Sequence, residues 1–197
     1  IRLVGFSSDL VFDGRQRTPY DESSVPCPLN VYGASKLEGE RRMLDADPFA
    51  LVVRTSAFFG PSDEHNFVTL ALTALAEGQP WAAADDVTVS ATYVPDLADA
   101  VLDLLVDGES GIWHLANPGA ISWAELARRA ALLAGLDPDL VRGMPSASLD
   151  LAAPRPAYTV LASRRGWVLP DLEQALHRYV AETAERWRGA TLAGPAA

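Results

Sequence analysis

Short runs of β-branched and apolar residues alternate along this chain with longer stretches of helical periodicity. That alternation restricts it to an α/β fold built on parallel strands. Residues 1–6, 50–54 and 111–116 read as buried strands, and 87–93 is strand-like. Between them lie helical stretches at about 30–44, 66–76 and 97–106, the last opened by Pro95-Asp96. Ser122-Trp123-Ala124-Glu125 has the form of a capping box and starts a helix that ends at Gly135. Residues 137–165 are broken by prolines and small residues, and a last helix runs from Pro170 to about Trp187. The helical bias after residue 116 predicts a second, smaller lobe, and residues 189–197 are expected to be a disordered tail.

Charge narrows the function classes. A net charge of -10 and a pI near 4.7 argue against a surface that tracks a nucleic-acid backbone. The pairs Arg41-Arg42, Arg128-Arg129 and Arg164-Arg165 read as solvated faces. No apolar run is long enough to span a bilayer and no signal-peptide layout opens the chain, which predicts a cytoplasmic protein without membrane contact. The single cysteine, Cys27, sits between two prolines and is expected to be inert. His65, His114 and His177 show no metal-ligand spacing, so no metal site is expected. Trp81, Trp113, Trp123, Trp167 and Trp187 are expected to pack in the core or between lobes.

Of the 16 Lys and Arg residues, only Lys36 is a lysine, and it stands four positions after Tyr32. On a helix, positions i and i+4 share a face. A cation beside a phenol favours the ionised form, so such a pair can exchange a proton as a general acid. The same spacing also suits a solvated helix face.

Ser7-Ser8-Asp9-Leu10-Val11-Phe12-Asp13-Gly14, followed by Pro28-Leu29-Asn30-Val31-Tyr32-Gly33-Ala34-Ser35-Lys36, resembles the extended short-chain dehydrogenase/reductases. Among these it is most similar to the dTDP-4-dehydrorhamnose reductase family. The likeness continues through Val53-Arg54-Thr55-Ser56, Asn66-Phe67, the run from Thr92 to Ala98, and Arg155-Pro156 with Leu161. The resemblance implies the C-terminal part of a Rossmann-like parallel sheet over residues 1–115. It implies a small, mainly helical substrate-binding lobe over 116–188, with contributions from 60–90. It implies NADPH or NADH as cofactor and a nucleotide sugar as substrate. The reaction would be reduction of a 4-keto-6-deoxyhexose nucleotide, as in dTDP-rhamnose biosynthesis.

Carried over residue by residue, the resemblance makes Tyr32 the proton donor to the substrate carbonyl, Lys36 the holder of cofactor ribose hydroxyls, and Ser8 a hydrogen-bond donor to the same carbonyl. Thr55 and Ser56 would line the nicotinamide pocket, while Asn66, Phe67 and Arg155 would hold the sugar nucleotide. Ordinary alternatives are a turn cap for Ser8, satisfied turn hydroxyls for Thr55 and Ser56, and a surface arginine at 155. Leu10 stands where related dehydratases carry an acid, which disfavours elimination of water. Ala91 replaces the family's proline ahead of Thr92.

The glycine-rich turn that brings a helix N-terminus to the cofactor diphosphate has no counterpart here. Aligned by motif, the chain starts at about the fifth strand of that fold. It is therefore expected to be a fragment, or a domain completed by further sequence, and weak in cofactor binding by itself. Two rivals stand beside the reductase: a sugar-nucleotide epimerase of the same superfamily, and a non-catalytic regulatory or binding module with the reductase fold. A homodimer is also compatible with the resemblance.

Overall fold

The computed structural model describes residues 1–166 and 168–187. The expected tail at 189–197 and Trp167 lie outside the described residues. The frame is a three-stranded parallel sheet, ordered β1 (Val4–Ser8), β2 (Leu51–Thr55), β7 (Gly111–His114). Its register sets Ser8 beside Thr55 and Arg54 beside His114, so the carboxyl ends of the strands finish together. Helix α3 (Val94–Val106) covers one face, where Leu97, Ala100, Val101 and Leu104 pack on Leu51, Val53, Trp113 and Leu115. Full burial of each such Leu or Val contributes about 1.5–3 kcal/mol.

A second core gathers α2 (Phe67–Ala76), α4 (Trp123–Ala134) and α5 (Leu172–Trp187) around Phe59, Leu72, Leu126, Leu176 and Tyr179. Ser122 caps α4 through the Glu125 amide at 3.2 Å, as its spacing predicts, and Gly135 ends that helix at φ 71°. The two cores are joined by Asp96 of α3. It accepts two hydrogen bonds of 2.6 Å from Arg178 of α5 and one of 3.1 Å from Asn117.

Two expectations change. The strand foreseen at 87–93 divides into β5 (Thr88–Val89) and β6 (Thr92–Tyr93), because the chain switches partners between them. β5 pairs antiparallel with β8 (Ile121–Ser122), and β6 runs parallel to β3 (Phe58–Phe59). The stretch 137–165, read as irregular, contains β9 (Val141–Met144), which runs parallel to β4 (Trp81–Ala84). Arg165, expected on a solvated face, lies 4.0 Å from the Trp113 ring and donates to the Ser110 carbonyl at 2.8 Å.

Helix α1 (Val31–Ala46) is seated in an unusual way, since Gly33 and Glu40 are its only buried residues. Glu40 receives a two-pronged ion pair from Arg54 of β2, at 2.8 and 2.6 Å, and a further hydrogen bond from the Ser7 hydroxyl of β1. Arg54 also reaches His114 Nε2 at 3.4 Å, which leaves the imidazole proton on Nδ1 to face the Tyr20 and Ala162 carbonyls at 3.1 and 3.0 Å. Burial pushes the His114 imidazole down, in keeping with a neutral ring beside the guanidinium.

Candidate active site

An open cleft of about 1460 Å³ lies past the carboxyl ends of β1 and β2. One wall is Ser8, Asp9, Leu10 and the first turn of α1, and the opposite wall is β4, Trp123 and the segment 149–156. Open α/β sheets place ligands in such crevices, because strand ends and helix N-termini leave backbone and side chains free there.

Asn30 caps α1 by accepting from the Gly33 amide at 2.8 Å and donates to the Pro154 carbonyl at 3.0 Å, so the cap also ties down the far wall. Tyr32, in the first turn, borders the cleft and is 51% exposed. Its hydroxyl makes no hydrogen bond within the described residues. One turn on, the Lys36 ammonium stands 5.5 Å from the Tyr32 ring centre and donates to the Phe6 carbonyl at 3.2 Å. Two of its three donors are left uncommitted.

Gly33 makes this arrangement reachable, because α1 crosses so close to the turn after β1 that a Cβ there would sit 2.1 Å from the Leu10 carbonyl oxygen. Helix propensity alone favours Gly33→Ala by about 1 kcal/mol. The clash is with backbone and reverses the sign. We expect Gly33→Ala to destabilise by about 1–3 kcal/mol, as overpacking does, which a denaturation midpoint will read.

Ser8 is buried at the cleft floor, where its Oγ accepts from the Leu10 amide at 3.1 Å and donates to Asp9 Oδ1 at 3.0 Å. Asp9 is 5% exposed and accepts on Oδ2 from Ser56 Oγ at 2.7 Å and from Thr159 Oγ1 at 2.5 Å. Burial pushes its carboxyl above the ordinary range. The hydrogen bonds from Thr159, Ser56 and Ser8 and the nearby Arg155 charge pull the other way without cancelling that effect.

The remaining candidates separate in space. Ser8, Tyr32, Ser56, Phe67 and Arg155 border the cleft. Thr55 does not line it, and its hydroxyl is buried against Thr92 at 3.3 Å. Asn66 is also absent from the lining. It caps α2 by accepting from the Thr69 amide at 2.9 Å and donates to the Gly60 and Asp63 carbonyls at 3.3 and 2.7 Å.

Asp9, Thr159 and Trp123 border the cleft without having been singled out as site residues. Asp9 stood in the quoted motif beside Ser8, whereas Thr159 lies 150 positions away and gave no signal. Trp123 meets Phe67 at 4.7 Å between ring centres, so it is both a packing residue and part of the wall. Ala57, which follows Ser56, is held at φ 38°. Non-glycine residues adopt this conformation at a cost, and it gathers where a site demands it.

A dTDP-4-dehydrorhamnose reductase from Mycolicibacterium smegmatis is 39% identical over 201 residues, covering 98% of this chain and 60% of that protein. A dTDP-4-keto-6-deoxy-D-glucose reductase from Streptomyces niveus is 38% identical, covering 82% of this chain and 56% of its own length. The chain thus spans about 60% of the first of these relatives. Among solved structures, dTDP-4-dehydrorhamnose reductase from Bacillus anthracis in complex with NADP superposes with a TM-score of 0.87 at 32% identity, over 92% of this chain and 66% of that one. A dTDP-glucose 4,6-dehydratase from the same organism, in complex with NAD, shares the fold at 17% identity, with a TM-score of 0.78 over 96% of this chain and 64% of that one. The family model described as the RmlD substrate binding domain matches residues 1–184, and the chain therefore belongs to that family.

Proposed function

We propose that this chain provides the proton-donating and substrate-holding side of an NAD(P)H-dependent reductase that acts on the keto group of a deoxyhexose nucleotide. The observation that carries the reading is an uncommitted phenol, with an ammonium beside its ring, opening on the same cleft as the Ser8 hydroxyl. Relatives named as reductases of dTDP-keto sugars, and a structural neighbour solved with NADP, support it.

The residues present fit one end of a nicotinamide cofactor. Among the described residues Lys36 has two free donors beside Phe6 of β1, suited to a pair of ribose hydroxyls. When bound, the reduced nicotinamide supplies the hydride equivalent that a carbonyl carbon accepts. Tyr32, a half-exposed residue of the cleft wall whose hydroxyl has no partner among the described residues, then delivers the proton to the carbonyl oxygen. Ser8, held by the Leu10 amide, donates to the same oxygen and stabilises the negative charge that gathers there. Arg155, exposed on the far wall, matches a diphosphate by its planar fork, and Phe67 with Trp123 offers an apolar surface to the rest of the substrate. In this reading residues 1–115 form the cofactor-facing domain, and 116–188 with parts of 60–90 form the substrate lobe.

The test is consumption of NADPH or NADH by the intact protein with dTDP-4-dehydrorhamnose. Stoichiometric oxidation is expected. Sugar conversion with no net oxidation of added cofactor would replace the reductase by an epimerase, and binding without conversion would make the chain a module that kept the fold.

A further inference from the structure

The Ser8 hydroxyl has one proton to donate, and in the folded chain that proton points to Asp9 Oδ1 at 3.0 Å rather than into the cleft. Its two acceptor positions are filled only in part, by the Leu10 amide at 3.1 Å. Asp9 has its other oxygen fixed by Ser56 and Thr159, at 2.7 and 2.5 Å. These two donors come from the end of β2 and from the segment after β9, so Oδ2 is saturated and the carboxyl plane is held from two sides. The atom of this carboxyl left to change partner is Oδ1, whose one hydrogen bond among the described residues is from Ser8.

For Ser8 to donate to a ligand oxygen, its O–H must swing away from Oδ1. If Asp9 stays ionised, the swing strands a buried anionic oxygen without a donor, which is costly. If Asp9 carries a proton on Oδ1, the hydrogen bond reverses. The carboxylic acid donates to the vacant lone pair of Ser8 Oγ, and Ser8 donates onward to the ligand.

We infer that Asp9 is a positioning residue that aims the Ser8 hydroxyl, and that a carbonyl ligand is bound with Asp9 in its neutral, proton-donating form. The inference rests on the reductase reading given above, because it takes the ligand oxygen to lie against Ser8. Burial, which already disfavours the charged carboxyl, makes the proton easier to take up. Arg155 is the charged group that acts on Asp9, and it works in the opposite direction. A ligand whose diphosphate engages Arg155 neutralises that opposition, so the two ends of the substrate act on Asp9 in the same sense.

The sign is fixed by linkage. The complex holds a proton that the free protein has lost at high pH, so affinity is full below the free protein's Asp9 value and declines as pH rises through it. Calorimetric titration of dTDP-4-dehydrorhamnose into the intact protein with NADP⁺, in two buffers of different ionisation enthalpy, reads this directly. Wild type is expected to take up close to one proton per ligand on the alkaline side. Asp9→Asn presents an amide N–H to Ser8 and a carbonyl to Ser56 and Thr159, which mimics the neutral acid, so it should take up no proton on binding the ligand. Asp9→Ala can do neither and should lose ~10-fold or more in kcat/KM at every pH.

Wild-type proton uptake in Asp9→Asn overturns the inference whether or not Asp9→Ala folds. Sugar conversion by wild type with no net oxidation of NADPH or NADH sinks the reductase reading instead. The two failures are therefore told apart, one by the proton count of Asp9→Asn and the other by the cofactor balance of wild type.

Discussion

Tyr32→Phe is expected to lower kcat for reduction of a keto-sugar nucleotide by ~10²–10⁴-fold, the range general acid catalysis supplies, while the thermal midpoint stays where it is. The separation of the two effects follows from the geometry. The Tyr32 ring is half exposed in the first turn of α1, and its hydroxyl bonds to nothing in the described fold. Removing that oxygen opens no core cavity and orphans no buried donor, and substitutions of that kind change stability by less than about 0.5 kcal/mol. The Lys36 ammonium keeps its bond to the Phe6 carbonyl, so the cofactor-facing contact is untouched. KM should therefore change little and kcat should carry the loss. Steady-state kinetics beside a melting curve decide the matter, and equal kcat for wild type and Tyr32→Phe would remove the phenol from the chemistry.

Arg54→Met should be the most destabilising single change at the sheet, by about 3–5 kcal/mol. The Arg54 and Glu40 side chains are 3% and 2% exposed, so deleting the guanidinium leaves a buried carboxylate whose remaining donor among the described residues is the Ser7 hydroxyl. Single domains are stable by about 5–15 kcal/mol in all, so the variant would be marginal. The consequence reaches the site because α1 buries little apolar surface and is held to the sheet through this pair. Loosening it moves Tyr32 and Lys36 together. Replacing both partners, as Arg54→Met with Glu40→Leu, removes the uncompensated charge and should recover most of the loss. Urea midpoints of the two single variants and the double variant test this. A double variant no more stable than Arg54→Met would show that the pair contributes more than the avoidance of a buried lone charge.

These two expectations have unequal roots in the sequence. The Tyr32–Lys36 spacing was visible because helical periodicity is local, and Asn30, the cap, stands at the place where the apolar pattern begins. The strands were visible for the same reason, since short β-branched runs between turn residues have one economical home in a parallel sheet. The role of Glu40 was hidden. In sequence it belongs to the run from Glu38 to Arg42 and reads as a solvated face, yet it is the buried anchor of α1, while Glu38 and Arg42 form the exposed pair at 2.8 Å. Nothing local separates the two glutamates. Their difference is the direction each takes from the helix once Arg54 is in place on β2.

Asn66 and Thr55 illustrate the same limit. Each sits in a motif that the family resemblance pointed to a ligand, and each has its polar atoms engaged by the fold itself, in a helix cap and in a buried hydroxyl pair. The division of the stretch after Val87 and the pairing of β4 with β9 depend on partners far along the chain, so no short window carried them.

The sequence by itself determined the α/β alternation, the helix starts, the family, and the phenol and amine on one helical face, because each of these is written in spacing over a few residues. Only the tertiary structure decided which polar residues face the cleft and which are spent inside. It placed Thr159 on the carboxyl of Asp9 across 150 positions and turned the Ser8 proton inward. Hydrogen bonds between distant segments are set by how the elements pack, and that packing follows from burial summed over the whole chain.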